Sequence, residues 1–449
     1  MVLKRRTLLQ GVLGGAVLSG CSSGPSTTAP TVSPQNPFQV DGAAAVDVVI
    51  GDEYGGFGAA AYRKKYAGAS VTPKLTAQLP EELLPRFATG TPPDVVLSSG
   101  DGALDLGRLV KDNQLSDLSR LLTAPSWDDP NKTVKDQLLP LLNAGRYDGT
   151  QRTLNYIVTV YGLWYSASLF QRHNWDVPRT WPDLLALGTD MKAAGIGPFI
   201  YAGTHPYYLL ELVLTLAAKS GGADVLKRID NLEAGAWKDE HVTRAIAAVG
   251  ELAKRGLIAP GSAKYDHLGS QKRFLAGKAG MLPCGNWLEN EMKGQIPADF
   301  ALTMFAVPAL DTSPALVSGL HVAATAPFLV PAKAKNAAGG LEYLRAQLSQ
   351  DVAAQVSSES NQLTIVRGAA DGLEIGSALR SARDLLAAAG DQTIAWYFDT
   401  WYPAFANEAA AATGQYLAGG LQQSEWTARI QAAADKLKAD DAITKYRRG

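Results

Sequence analysis

The chain has 449 residues, 46% of them hydrophobic and 19% charged, with two cysteines, five histidines and a net charge of −1. So even a balance, with no basic block beyond Lys445-Tyr446-Arg447-Arg448, leaves nucleic acid without an electrostatic basis as a partner. A chain this long exceeds one small core and points to two lobes, while two cysteines exclude a disulfide-stapled scaffold.

At the start of the chain, Lys4, Arg5 and Arg6 precede an uncharged, mostly apolar run from Thr7 to Leu18. Basic residues, a short apolar stretch and the small Ser19 and Gly20 make residues 1–20 a secretory signal peptide. The run is shorter than the roughly 20 residues of a spanning helix. Leu18-Ser19-Gly20-Cys21 resembles the bacterial lipobox, which implies lipid on Cys21 and an anchor on the extracytoplasmic face of the cell membrane. Arg5-Arg6-Thr7-Leu8-Leu9 also resembles a twin-arginine signal, so the export route stays open. Without residues 1–20 the chain carries 39 basic and 43 acidic residues, a net charge of −4. Ser22–Asn36 is mostly Ser, Thr, Pro, Gly and Ala with no charge and cannot form a core, so residues 21–42 read as a flexible tether. No later apolar stretch reaches spanning length, which makes the body soluble. With Cys21 lipidated, Cys284 has no partner.

Order begins at Val46-Asp47-Val48-Val49-Ile50, a β-branched run ending at Gly51 that reads as a buried strand. A helix over Gly58–Tyr66, a strand near Ser70–Leu75, a helix over Pro80–Ala88 and a strand at Asp94–Leu97 follow. That alternation predicts an α/β fold with a parallel sheet covered by helices. Ligands gather beyond the carboxyl ends of such strands, where Glu53, Tyr54 and Asp101 fall. Thr180-Trp181-Pro182-Asp183 starts a helix, with threonine as N-cap and an acid three residues on, and the helix runs to about Ala194. Helical periodicity recurs over Tyr208–Lys219, Glu240–Arg255 and Gln271–Ala276. Beyond Gly339 the chain reads as helical apart from turns near Asn361, Gly390 and Gly419.

Signals for catalysis and cofactors fail when tested. Gly56-Phe57-Gly58-Ala59-Ala60-Ala61 fits a dinucleotide loop, but the next strand ends without the acid that would hold a ribose. The chain has no H-E-x-x-H, G-x-S-x-G or C-x-x-C, and its histidines are scattered, so no metal, no cofactor and no enzyme activity is expected. Glu289 and Glu291 diverge on a helix and read as two solvated carboxylates. Aromatics next to turns stand out instead, among them Tyr54, Tyr207, Trp287, Trp396 and Trp401. A pyranose stacks its C–H face on such a ring, while its rim hydroxyls need acceptors such as Asp101 and Glu53, or Asn286, His205 and Asn361. Trp164 and Tyr165 lie in an apolar strand and read as core, whereas Cys284-Gly285-Asn286-Trp287 sets Trp287 at a strand-to-helix turn.

Four ordered blocks carry a family resemblance between about Val46 and Ala439: Ala88-Thr89-Gly90-Thr91-Pro92-Pro93-Asp94-Val95-Val96; Arg146–Thr150 with Tyr161–Phe170; Pro178–Leu185; and Phe274–Met281 running on to Trp287. In these the chain is similar to the extracellular solute-binding lipoproteins of carbohydrate ABC importers, the maltose-binding-protein-like family. Ser166 and Pro182-Asp183 depart from its usual asparagine and first-turn glutamate.

The resemblance implies two α/β lobes, each a sheet flanked by helices, with a helical C-terminal section and a periplasmic-binding-protein-like cleft. Residues 43–157 with about 308–350 would form one lobe, and residues 158–307 with about 351–449 the other. Crossovers would lie near Tyr156–Val160 and Thr303–Val307. The family's sugar-stacking tryptophan falls on Trp287 and its C-terminal aromatics fall near Trp396 and Trp401. Tyr161–Phe170 and the stretch from Gly197 to Tyr208 resemble N-acetylglucosamine- and chitobiose-binding members. The expectation is a monomeric, lipid-anchored receptor that captures a mono- or oligosaccharide and delivers it to an ABC permease. A secreted glycan-cleaving enzyme and a surface adhesion lipoprotein are the rivals, separable by turnover of a chromogenic glycoside and by neighbouring permease genes.

Overall fold

A computed structural model describes residues 31–99 and 102–449; the signal, Cys21 and Asp101 lie outside the described residues. The strands, in chain order, are β1 (Val48–Ile50), β2 (Lys74–Leu75), β3 (Val95–Leu97), β4 (Arg146–Tyr147), β5 (Thr150–Gln151), β6 (Leu154–Ser166), β7 (Gly197–Phe199), β8 (Ala279–Gly285), β9 (Leu302–Phe305), β10 (Leu320–Leu329), β11 (Leu363–Thr364) and β12 (Thr393–Ile394). β4 and β5 pair only with each other; the rest form one mixed sheet ordered β2-β1-β3-β10-β6-β8-β7, with β9 and β11 along β6 and β12 along β10.

β1 is parallel to β2 and β3, as the alternation of strand and helix requires. Both β1 and β3 are buried on two faces, and the two-residue period of a strand splits them between cores. Val49 and Val96 pack with Leu79, Leu83 and Phe87 of the helix Leu79–Thr89. Val48, Ile50, Val95 and Leu97 face the other way, in the core that holds Tyr62, Tyr343 and Leu344. A separate core forms where the helices Tyr207–Gly221, Glu240–Lys254, Pro403–Leu417 and Gln423–Ala439 pack around Trp237 and Trp426.

The 13-residue β6 joins these halves. Its first part lies between β10 and β11, with Val160 opposite Val322 and Val158 opposite both Ala324 and Leu363. Its second part lies between β8 and β9, with Tyr161 opposite Gly285 and Leu163 opposite Phe305. Within this one sheet the strand therefore exchanges its partners between Val160 and Tyr161. Thr303 pairs with Tyr165, and the chain passes back between Phe305 and Leu320, a stretch that overlaps the expected Thr303–Val307.

Other local expectations are met or amended. Thr180 accepts from the Asp183 amide (3.3 Å) and Asp183 from the Thr180 amide (3.0 Å), closing the capping box that starts the helix Trp181–Ala193. The strand near Ser70 shrinks to Lys74–Leu75, with only a bridge from Val71 to Val46. The turns near Asn361 and Gly390 are followed by the short strands β11 and β12, each fixed by pairing with a long crossing strand and not by its own composition. The Gly56–Ala61 motif is a packing device: the Gly58 amide donates to Gln347 Oε1 (2.8 Å), and a Cβ there would meet the Gln347 backbone at 3.1 Å. The amide a phosphate would need is thus already used.

One buried charge cluster pins the first helix to the sheet's flank. Arg345 donates from Nε and Nη2 to both Glu342 oxygens at 2.7 Å, Lys65 adds a bond of 2.8 Å, and the Glu342 side chain is wholly buried. The Arg345 guanidinium also lies 5.0 Å from the Trp127 ring centroid. Removing one partner leaves the other charges enclosed, so Glu342→Ala is expected to destabilise by about 3–5 kcal/mol, read as a lowered urea midpoint at unchanged slope.

Candidate functional site

A cavity of about 380 Å3 opens where four segments meet. Tyr161 comes from β6 just past its exchange of partner strands, and Tyr207, Leu210 and Glu211 from the helix Tyr207–Gly221. Trp287 follows β8, and Trp396 and Asp399 follow β12. Larger grooves lie around Trp175 and Asp190 (about 820 Å3) and beside Leu84 and Phe87 (about 620 Å3). The first offers a single aromatic ring among scattered charges and the second is mostly aliphatic, so neither joins ring faces to converging polar groups as a binding site requires.

The rings form a continuous wall. Trp396 stacks on His321 (3.8 Å between centroids, 15°), His321 stacks on Tyr161 (4.3 Å, 22°), and Tyr161 meets Trp287 edge-on at 5.4 Å. Tyr208 lies 6.2 Å beyond Trp287 and Tyr207 another 4.2 Å on. Gly285 is what lets Trp287 fold back over β8, since a Cβ there would stand 2.0 Å from the indole ring. Half-buried Trp287 presents part of its ring to the cavity, and Leu288 behind it is fully buried.

Two carboxyl groups supply the polar side. Glu211 sits among the buried Leu210, Leu212, Val213 and Leu214, and burial, with Asp399 nearby, pushes its carboxyl well above the usual range. Asp399 is reached by water, yet the enclosing protein pushes its carboxyl up to about 6. Its Oδ2 accepts from Trp396 Nε1 at 3.0 Å and its Oδ1 from the Thr400 amide at 2.7 Å. No lysine or arginine lines the cavity. Ring faces beside hydrogen-bond acceptors suit a ligand with an apolar face and a hydroxylated rim. Among the described residues no group of three His, Cys, Asp or Glu is placed to hold a metal ion.

Of the residues singled out from the sequence, Trp287, Trp396 and Tyr207 meet at this cavity. His205 stands at its edge, with its ring 6.2 Å from Tyr207 and 5.0 Å from His267. Asn286 is buried beneath it, its Oδ1 accepting from the Val160 amide at 3.1 Å. Tyr54 is buried in the first lobe, where its carbonyl accepts from Gln347 (2.9 Å), and Glu53 beside it is exposed; neither lines the cavity. Asn361 donates to Glu289 (2.9 Å) and Asn290 (3.0 Å), away from the cavity. Trp401 packs against Tyr397 and Tyr446, at a groove shared with Leu106 and Gly107. Trp164 is core, as expected, its indole donating to the Gly285 carbonyl at 3.1 Å. Glu289 and Glu291 diverge but are not free: Glu291 accepts from Gln271 at 2.6 Å. Cys284 is a buried thiol.

Sequence reasoning missed Tyr161, His321, Glu211 and Asp399 as parts of one site. A lone glutamate inside the apolar run Leu209–Leu214 was the available signal for Glu211. Tyr161 is marked as an aromatic beginning the block Tyr161–Phe170, and nothing local marks His321 or Asp399.

The description "bacterial extracellular solute-binding protein" belongs to a family model that matches residues 41–354. The chain is 32% identical over 465 aligned residues, 99% of this chain and 98% of the relative, to the diacetylchitobiose binding protein NgcE of Streptomyces coelicolor. Its fold resembles that of a chitin oligosaccharide binding protein (TM-score 0.62, 19% identity, 82% of this chain and 90% of the other). It also resembles a probable secreted solute-binding lipoprotein from Streptomyces coelicolor (TM-score 0.71, 17% identity, 87% of this chain and 98% of the other). At those identities the two structures speak for the two-lobed fold alone.

The raised Asp399 carboxyl has a thermodynamic consequence. A folded value of about 6 against the ordinary 3.8 means that Asp399 holds its proton more tightly in the folded chain. Its stabilising contribution is complete below the unfolded value and is lost as pH rises through about 6. The Tm of Asp399→Asn relative to wild type is therefore expected to climb between pH 4 and pH 6.5 and then level off, measured by calorimetry. A difference that stays flat across that range contradicts the enclosed carboxyl.

Proposed function

Because the chain belongs to the family of bacterial extracellular solute-binding proteins, we propose that its cavity captures a short N-acetylated amino-sugar oligosaccharide of the diacetylchitobiose class. The observation that carries this reading is the meeting of Trp287, Trp396 and Tyr207 with the carboxyls of Glu211 and Asp399 around one space. A pyranose laid on an indole buries its C–H face, and its hydroxyl and amide N–H groups donate to the two carboxyls. With no cation in the lining, an anionic sugar would find only like charge. Full-length similarity to a diacetylchitobiose binding protein supports the amino-sugar assignment.

Capture proceeds without bond making or breaking. Residues 43–157 with about 308–350 move as one lobe, and 158–307 with about 351–449 as the other. Sugar favours the closed arrangement because only there do both lobes contribute contacts. The closed form then docks on the transmembrane subunits of an ABC importer. Lipid on Cys21 holds the receptor on the extracytoplasmic face of the membrane, and residues 21–34 supply the reach; the expected tether to residue 42 is shortened because Phe38 and Val40 are buried in the core and the Gln35 carbonyl accepts from Arg345. Among the described residues no helix is long and apolar enough to cross a membrane, which fits an anchor outside the folded body.

Isothermal titration with diacetylchitobiose, maltose and raffinose tests the ligand. Binding of the amino-sugar with Trp287→Ala and Trp396→Ala each at least tenfold weaker, about 1.4 kcal/mol, is expected. No heat from any of the three sugars would refute the sugar reading. For the anchor, cells fed labelled palmitate should transfer label to the wild-type chain and none to Cys21→Ser, which should appear in the medium.

A further inference from the structure

His321 sits near the start of β10 and is 4% exposed, yet it touches the cavity only through its neighbours. Its two faces are covered by rings that do line the cavity: Tyr161 at 4.3 Å on one side and Trp396 at 3.8 Å on the other, within 22° and 15° of parallel. Nδ1 lies 3.0 Å from the Ile394 carbonyl, which can only accept, so Nδ1 carries the proton. Burial holds the imidazole neutral, its value lowered to about 3. The three rings come from three separate segments: Tyr161 from β6, His321 from β10, and Trp396 from the residues just after β12. Leu320 and His321 pair with Thr393 and Ile394, so the backbone ladder and the ring stack hold the same junction.

A flat spacer between two parallel rings sets both their separation and their tilt. Trp396 is further fixed at its edge by the bond from Nε1 to Asp399. An aliphatic residue at 321 would fill part of the volume but would not define a plane. We propose that His321 is the positioning residue of this cavity: a neutral imidazole spacer that fixes the planes of Tyr161 and Trp396, and through them the affinity for a pyranose ring. The affinity part of this proposal rests on the sugar-binding reading above; the ring geometry does not.

The test therefore has an arm without ligand. In the free protein, the near-ultraviolet circular dichroism signal that Trp396→Phe removes should also be lost in His321→Ala. It should be retained in His321→Phe, which keeps a stacked ring. Imidazole at millimolar concentration should restore it to His321→Ala by refilling the gap. In the ligand arm, diacetylchitobiose should bind His321→Ala at least tenfold more weakly than wild type. His321→Phe should stay within about threefold, and added imidazole should recover affinity in the alanine variant only. Retention of the Trp396 signal in folded His321→Ala, or equal weakening by alanine and phenylalanine, would overturn the proposal. If wild type binds no sugar, the proposed ligand falls and the ligand-free arm alone decides the stack.

Discussion

The hydrogen bond from the Val160 amide to Asn286 Oδ1 marks the point on which the rest of the molecule depends. β6 must serve two sets of partner strands in one extended run, and at the changeover a buried amide has to find an acceptor outside the regular ladder. The Asn286 side chain supplies it, from the turn that ends β8. The next residue on each strand, Tyr161 and Trp287, then enters the cavity. The residues at the changeover and two rings of the cavity wall are therefore consecutive in the chain. Asn286, expected among ligand contacts, gives its oxygen to the Val160 amide, and its Nδ2 has no partner among the described residues.

Close backbone approach makes that junction work. A Cβ on Gly162 would stand 2.6 Å from the Phe305 carbonyl, and one on Gly285 would enter the Trp287 ring. Both positions trade side-chain packing for proximity, one to bring β9 against β6 and the other to fold the indole over β8. Trp164 completes the arrangement from the opposite face by donating to the Gly285 carbonyl. Trp287 is thus held by backbone geometry beneath it and by Tyr161 at its edge.

The carboxyl side of the cavity is a local conflict with the fold. Glu211 interrupts an apolar helix and Asp399 stands near it at the water-accessible side, each carboxyl held above its usual range. Contrast Glu342, whose side chain is wholly buried and satisfied by Arg345 and Lys65. Glu342 is paired with cations; no cation pairs with Glu211 or Asp399 among the described residues. Groups left poorly compensated in the free protein are ones a hydrogen-bond-donating ligand can satisfy, the usual trade between stability and function.

What the chain determined by itself is whatever depends on neighbours a few residues apart. The apolar runs of β1 and β3, the Thr180 capping box, the Cys284–Trp287 turn and the family blocks were legible because composition and short spacing carry them. Tertiary structure alone decided which aromatics share a space. It brought Trp396 to Trp287 and left Trp401 with Tyr446, though the two tryptophans are five residues apart. It drew Asn361 onto Glu289 and Asn290, and it joined Tyr161, Glu211, His321 and Asp399 from four distant segments. β11 and β12 escaped prediction for the same reason: two-residue strands have no period of their own and exist through pairing with β6 and β10. Local chemistry is written along the chain. A site built from crossing strands depends on register and side-chain direction, which are settled only when distant segments pack.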